Sequence, residues 1–167
     1  EHLHFKYGNK IASLAALFVT LCFSAFGQAK GILSTTNKKA IKHYHEAQKL
    51  FDAHNDSDAA KALLQAIKED SNFVEAHGLL GYAYEEMNHD EEAITQFKKA
   101  ISINPHFFPN LFFTLGKLDL KNGHYNEALA ALEEFQKHGT SDEEMQWYTG
   151  LFISDCKFAH DAIQHPV

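Results

Sequence analysis

Residues 81–105 read GYAYEEMNHDEEAITQFKKAISINP, and this stretch decides the fold. Its small and apolar residues recur three and four positions apart, which is the spacing of one face of an α-helix. The polar run from Asn88 to Asp90 interrupts this pattern, and Pro105 closes it. The stretch is therefore predicted to form two amphipathic helices joined by a short turn.

The same pattern recurs along the chain at a fixed period. Its small-residue landmarks are separated by 34, 35 and 34 positions, and they are Ala47, Gly81, Gly116 and Gly150. Other positions repeat with them, namely Ala59, Ala93, Ala128 and Ala162, followed by Leu63, Phe97 and Leu132. Such a period indicates stacked helical hairpins with a continuous core, of which about three are needed for stability.

These residues resemble the tetratricopeptide repeat. The resemblance is carried by Gly81-Tyr82-Ala83-Tyr84, Asp90-Glu91-Glu92-Ala93-Ile94 and Asn104-Pro105, by Leu115-Gly116 and Tyr125-Asn126-Glu127-Ala128-Leu129, and by Trp147-Tyr148-Thr149-Gly150-Leu151. It implies an all-α solenoid, a right-handed superhelix of about three and a half repeats. Three units are expected over residues 37–140 and a partial fourth over 141–167, with a second helix that begins near Ala159.

The N-terminal residues have the pattern of a secretory signal. Residues 11–26 are apolar and uncharged, and two lysines precede them. A signal peptide is predicted over residues 1–27, with cleavage after Gly27 or, two positions on, after Ala29. Residues 28–36 are then a linker, and the mature protein is expected in the periplasm or at the outer membrane.

Two other interpretations of this segment are open. The charge-free residues 11–29 approach the length of about 20 residues that a membrane-spanning helix needs, so they could form an uncleaved anchor. Cys22 could be lipidated, although the bulky Leu21 before it is unfavourable for lipoprotein processing.

The composition excludes several classes of partner. The chain carries 22 acidic and 15 basic residues, a formal charge of −7, and every basic residue is lysine. This charge argues against nucleic acid as a partner, and the bidentate arginine fork is absent. Among the twelve histidines, His54, His89 and His124 are expected to align at the turns of successive units, too far apart to share a metal ion.

No pattern of catalytic residues was found. The sequence contains no phosphate-binding loop, no G-x-S-x-G and no H-E-x-x-H. Cys156 has no neighbouring base and is predicted to be a small buried apolar residue. We therefore expect no enzymatic activity, no cofactor, no metal and no small-molecule substrate.

The resemblance implies a concave groove lined by the first helix of each unit. The predicted partner-binding residues are Tyr44, Gln48, Phe51, Tyr82, Glu85, Phe113, Lys117, Trp147 and Leu151. Aromatic anchors in a concavity suit a protein or peptide partner, although these rings could instead pack between helices. The Lys/Asn/Arg clamp with which some family members hold a peptide carboxylate is not present.

The C-terminal end suggests an alternative function. No polar helix is predicted to cover the apolar residues near Leu151 and Phe158, so this face could form a homodimer or contact further domains of its own chain. The layout resembles Gram-negative envelope proteins that join tetratricopeptide repeats to a WD40-like propeller and an OmpA-like domain, some of them in type IX secretion. That resemblance implies a structural spacer or assembly module.

Overall fold

The structure consists of α-helices joined by short turns. The computed structural model describes residues 33–139 and 142–164, and within these ranges it contains seven α-helices and no β-strand. The helices are α1 (Lys38–Asp52), α2 (Asp56–Glu69), α3 (Val74–Glu86), α4 (Asp90–Ile103), α5 (Asn110–Lys121), α6 (Tyr125–His138) and α7 (Glu143–Gln164). The predicted all-α fold is confirmed, and no helix in this part of the chain is long and apolar enough to cross a membrane. The predicted signal and its cleavage sites lie outside the described residues.

Consecutive helices pack as three hairpins followed by one long helix. Helices α1 and α2, α3 and α4, and α5 and α6 are the first and second helices of units one, two and three. Each second helix also packs on the first helix of the next unit, and α7 packs on α6 in the same way. This repeated packing is the solenoid that the period of the sequence predicts.

One residue with a left-handed backbone turns the chain inside each hairpin. The φ angles are 56° at His54, 59° at Asn88 and 80° at Gly123. Glycine adopts such a backbone without strain, and asparagine and histidine are the side chains that tolerate it best. His89 and His124 stand one position later, as the N-cap residues of α4 and α6. The predicted alignment of His54 with these two histidines is therefore wrong by one position.

The fourth unit departs from the prediction. Helix α7 runs without interruption from Glu143 to Gln164, so a second helix that begins near Ala159 does not form. The position that turns the chain in the other units holds Lys157 here, and lysine disfavours a left-handed backbone. Cys156, next to it, is fully buried, and this burial further stabilises the continuous helix.

Large side chains of the second helices sit directly on the small residues of the first helices. A Cβ atom added to Gly81 would lie 2.5 Å from Cε1 of Phe97. One added to Gly116 would lie 2.6 Å from Cγ of Leu132. Phe97 and Leu132 are fully buried, so the glycines allow the paired helices to approach and these side chains to fill the space between them.

The segment before α1 is tied to the start of α3. Val74 N donates a hydrogen bond to Ser34 Oγ at 3.0 Å, and Glu75 accepts from the Ser34 backbone N–H at 2.9 Å and from its hydroxyl. Ser34 thus caps a helix that has no side-chain cap from its own N-cap residue. The predicted linker of residues 28–36 is therefore anchored over the part that the structure describes.

The glycines provide a matched test of this packing. We expect Gly81→Ala to destabilise the fold by about 1–3 kcal/mol, because its new methyl group must displace the buried Phe97 ring. Gly150→Ala should instead stabilise it by up to about 1 kcal/mol, since nothing lies within 4 Å of the new atom and alanine favours the helix. Urea unfolding followed by circular dichroism measures both changes, and equal effects at the two sites would contradict the packing described.

Candidate functional site

Most of the predicted groove residues remain accessible on the first helices. These residues are Gln48, Tyr82, Glu85, Lys117, Trp147 and Leu151, and we call them the first-helix face. Gln48, Tyr82, Glu85 and Lys117 are partly exposed. Trp147 is 55% exposed and Leu151 43%, so the apolar part of this face that is most open to solvent lies on α7.

Three predicted groove residues are buried instead. Tyr44, Phe51 and Phe113 lie inside the stack of helices, so the expectation that they line an open groove is wrong. The Tyr44 ring centroid lies 5.0 Å from that of Phe73, and the Phe113 ring centroid lies 5.3 Å from that of Phe135. The alternative expectation, that some rings pack between helices, describes these residues correctly.

The Tyr44 hydroxyl lies in an apolar environment near a carboxylate. Burial raises the pKa of Tyr44 well above its ordinary value, and the charge of Glu75 raises this pKa further. Gln48 Nε2 donates a hydrogen bond to the hydroxyl at 3.3 Å. Tyr44 therefore stays neutral at physiological pH and positions Gln48, the member of the pair that reaches the surface.

Two lysines one helical turn apart on α5 tie unit three to unit two. Lys117 Nζ lies 3.2 Å from Glu85 Oε1, and Lys121 Nζ lies 2.6 Å from Asp90 Oδ2. Burial alone raises the pKa of Asp90, but hydrogen bonds from Lys121 and Asn122 outweigh it and hold this pKa below its ordinary value. The first-helix face is thus fixed across two units by ion pairs made with lysine.

A buried carboxylate lies between these two lysines on α5. Asp119 of α5 is fully buried, and its Oδ1 lies 3.4 Å from Lys98 Nζ and 3.1 Å from His124 Nδ1. The His124 backbone N–H also donates to the Asp119 carbonyl at 2.8 Å. Asp119 therefore joins α4, α5 and the turn before α6, which is a structural role.

The described residues show no arrangement that points to catalysis. Among residues 33–139 and 142–164, no three histidine, cysteine or acidic side chains are placed to hold one metal ion. Cys156 is a fully buried thiol, as predicted. Burial raises its pKa, and the charge of Asp155 raises this pKa further, so the reactive thiolate is disfavoured.

A second exposed surface lies on α7, and only part of it was predicted from the sequence. The predicted exposure of Leu151 and Phe158 is confirmed, with Phe158 78% exposed. The open space at Gly150 was not predicted. The sequence did carry a signal for it, because Lys157 replaces the turn residue that the other units have before their second helix.

A comparison with protein-family models identifies one unit of this solenoid. The model described as "Tetratricopeptide repeat" matches residues 74–107, which comprise α3, α4 and the following turn. The chain contains a tetratricopeptide repeat. None of the curated protein sequences compared with the chain matches it.

Solved structures extend the tetratricopeptide fold beyond this unit. The TPR2B domain of yeast Sti1, solved in a complex with pHsp70, has a TM-score of 0.61 at 18% identity and covers 72% of this chain and 97% of its own. The type III secretion chaperone SycD of Yersinia enterocolitica, solved with a peptide of the translocator YopD, has a TM-score of 0.59 at 18% identity, with coverage of 71% and 90%. The first TPR of Spaghetti (RPAP3), bound to the HSP90 peptide SRMEEVD, has a TM-score of 0.62 at 14% identity, with coverage of 81% and 100%. At these identities the likeness establishes the fold.

The Lys121–Asp90 pair gives a pH-dependent prediction. Because the folded-state pKa of Asp90 is lowered, the pair stabilises the fold above the unfolded-state pKa of the carboxyl group, and this contribution is lost as the pH falls through the folded-state value. Lys121→Met should therefore cost about 0.5 kcal/mol near neutral pH, a small value because the lysine is exposed. The difference from wild type should shrink as the pH falls through the folded-state pKa of Asp90 and vanish below it.

Urea unfolding at a series of pH values measures this difference. Lys99→Met is the control, because Lys99 is exposed on α4 and its amine forms no ion pair with another described residue. It should cost little at any pH. A destabilisation by Lys121→Met that stays constant down to acidic pH would show that the ion pair is not its cause.

Proposed function

We propose that this chain is a non-enzymatic interaction module that binds a peptide or protein segment of a partner on its first-helix face. The observation that carries the proposal is the exposure of Trp147 and Leu151 on α7. Leu151 occupies in its unit the position that Lys117 and Tyr82 occupy in theirs, so all three belong to one repeating surface. Large apolar side chains on such a surface are typical anchors of a protein interface.

The structures that share this fold support a peptide ligand. The yeast Sti1 domain was solved with pHsp70, SycD with a peptide of YopD, and the RPAP3 repeat with a peptide of HSP90. In each case the partner is another protein or a piece of one. A peptide or protein segment is therefore the class of ligand that we assign to this chain.

The chemistry of the face favours apolar anchoring over capture of a terminal carboxylate. The sequence contains no arginine, and the amine of Lys117 is already ion-paired with Glu85. Tyr44, which stands where other family members have a residue of the carboxylate clamp, is buried. We infer that binding depends on Trp147 and Leu151, and that a free C-terminus on the peptide is not required.

The proposal includes a location in the cell envelope. It is supported by the apolar residues 11–26 and the lysines before them, which have the pattern of a secretion signal. Fractionation of cells that express the chain with a C-terminal tag is the test. Recovery of the tagged protein in the cytosol, with residues 1–27 still attached, would contradict this part of the proposal.

Removal of the anchors should weaken binding without unfolding the protein. Peptides are first selected on the wild-type chain from a random display library, and their affinities are then measured by fluorescence anisotropy. We expect Trp147→Ala to weaken binding roughly 10-fold or more, because interface anchors of this kind account for about 1.4 kcal/mol or more. Lys117→Gln should change affinity less, since it removes an ion pair and no apolar contact.

The matched control is Leu64→Ala. The exposed fraction of Leu64 is 44%, which is similar to the 43% of Leu151. Leu64, however, lies on α2, a second helix outside the first-helix face. The proposal fails if no peptide is selected, or if Leu64→Ala weakens binding as much as Trp147→Ala. Binding that is lost when the peptide C-terminus is amidated would contradict the apolar mode of recognition.

A further inference from the structure

The small residue of the fourth unit faces open space. At the equivalent positions of units two and three, an added Cβ would collide with Phe97 or Leu132. At Gly150 no atom lies within 4 Å of the added Cβ. In unit four the glycine is therefore in place, but among the described residues no second helix packs on it.

A continuous exposed stripe surrounds this glycine on α7. It consists of Trp147, Gly150, Ser154 and Phe158, which follow one another at three- and four-residue spacing, and we call it the Gly150 face. Trp147 and Phe158 are strongly exposed at its two ends, with small residues between them. This shape, large at the ends and small in the middle, suits a helix laid along α7.

We infer that the Gly150 face binds an amphipathic helix of a partner protein, which takes the place of the second helix that unit four lacks. The chain itself shows what such a helix presents. In unit two, the second helix places the large apolar residue Phe97 on Gly81. A small residue lies four positions before it, at Ala93, and another lies three positions after it, at Ala100. The Gly150 face shares Trp147 with the first-helix face, but the inference rests on the open space at Gly150 and not on the function proposed for the first-helix face.

The charges of α7 indicate a basic partner. Glu143, Glu144, Asp155 and Asp161 are exposed along the helix. Its one lysine, Lys157, lies 3.9 Å from Glu133 of α6, and the last turn carries no basic residue. In each hairpin of this chain the second helix runs antiparallel to the first. A partner helix in the place of a second helix would therefore run antiparallel to α7. Its N-terminal end would lie near Asp155 and Asp161, at the negative end of the α7 dipole. Lysine or arginine at that end is therefore favoured.

The same charges argue against a second copy of this chain. Two α7 helices packed antiparallel through their Gly150 faces would bring Glu144 of one copy near Asp161 of the other. Like charges brought close together oppose association. A basic helix would instead attract the acidic side chains of α7. A heterologous helix is thus the better complement of the face.

The probe is a synthetic peptide with the sequence of α4, Asp90–Ile103, locked as a helix by a side-chain lactam and preceded by lysines. The peptide contains no tryptophan, and Trp147 is the only tryptophan of the chain, so its fluorescence reports binding at the face directly. We expect a saturable blue shift as the indole is covered. Alanine in place of phenylalanine at the peptide position of Phe97 should weaken binding at least about 10-fold.

Variants of the protein locate the site. Gly150→Leu should abolish the blue shift, because the leucine fills the space that the peptide phenylalanine needs, and circular dichroism checks that the helices are retained. Leu64→Ala, on α2 and outside both faces, should leave the peptide affinity unchanged. Replacement of the leading lysines by glutamates should weaken binding several-fold, and this difference should shrink at high salt.

Three results would overturn the inference. The first is no blue shift with the lysine-headed peptide, or the same shift with a scrambled peptide. The second is full binding by Gly150→Leu. The third is a concentration-dependent dimer of the free chain in analytical ultracentrifugation that Gly150→Leu abolishes, since the occupant of the face would then be a second copy.

Discussion

The closeness of two helix backbones at one small residue is the constraint on which this structure depends. At Gly81 and Gly116 the partner side chain lies where a Cβ would otherwise be, and both partner side chains are fully buried. Because this contact recurs at one period, successive hairpins present matching apolar faces and stack in a single register. The lysine ties between units lie at the surface and contribute little by comparison.

The period of the sequence was sufficient to predict the fold. Repeated small residues, helical spacing of the apolar positions and polar interruptions between them all indicate helical hairpins. The end of the last unit could not be predicted from this period alone. The decisive feature is local, because the chain turns only where His54, Asn88 or Gly123 accepts a left-handed backbone, and Lys157 at the equivalent position does not.

The candidate site was predicted less well, for a different physical reason. Helical register shows which side of a first helix a residue lies on, but it does not show how deeply the next unit covers that residue. Tyr44 has the same register as the exposed Trp147, yet Phe73 of the following turn packs on its ring. Phe113 is covered in the same way by Phe135 and by Phe152. Trp147 is 55% exposed, and no ring of a later unit packs on it among the described residues.

The hydrogen bonds of Ser34 also affect how the stack unfolds. In a solenoid each unit normally restrains only its neighbours, so order can be lost one unit at a time. Here Ser34 reaches past the first hairpin to Glu75, and Asn37 Nδ2 donates to the Glu69 carbonyl at 2.9 Å. Opening unit one therefore also removes the cap of α3. Units one and two should gain and lose protection from amide exchange together, whereas α7, on which no second helix packs in the described part of the chain, should exchange first.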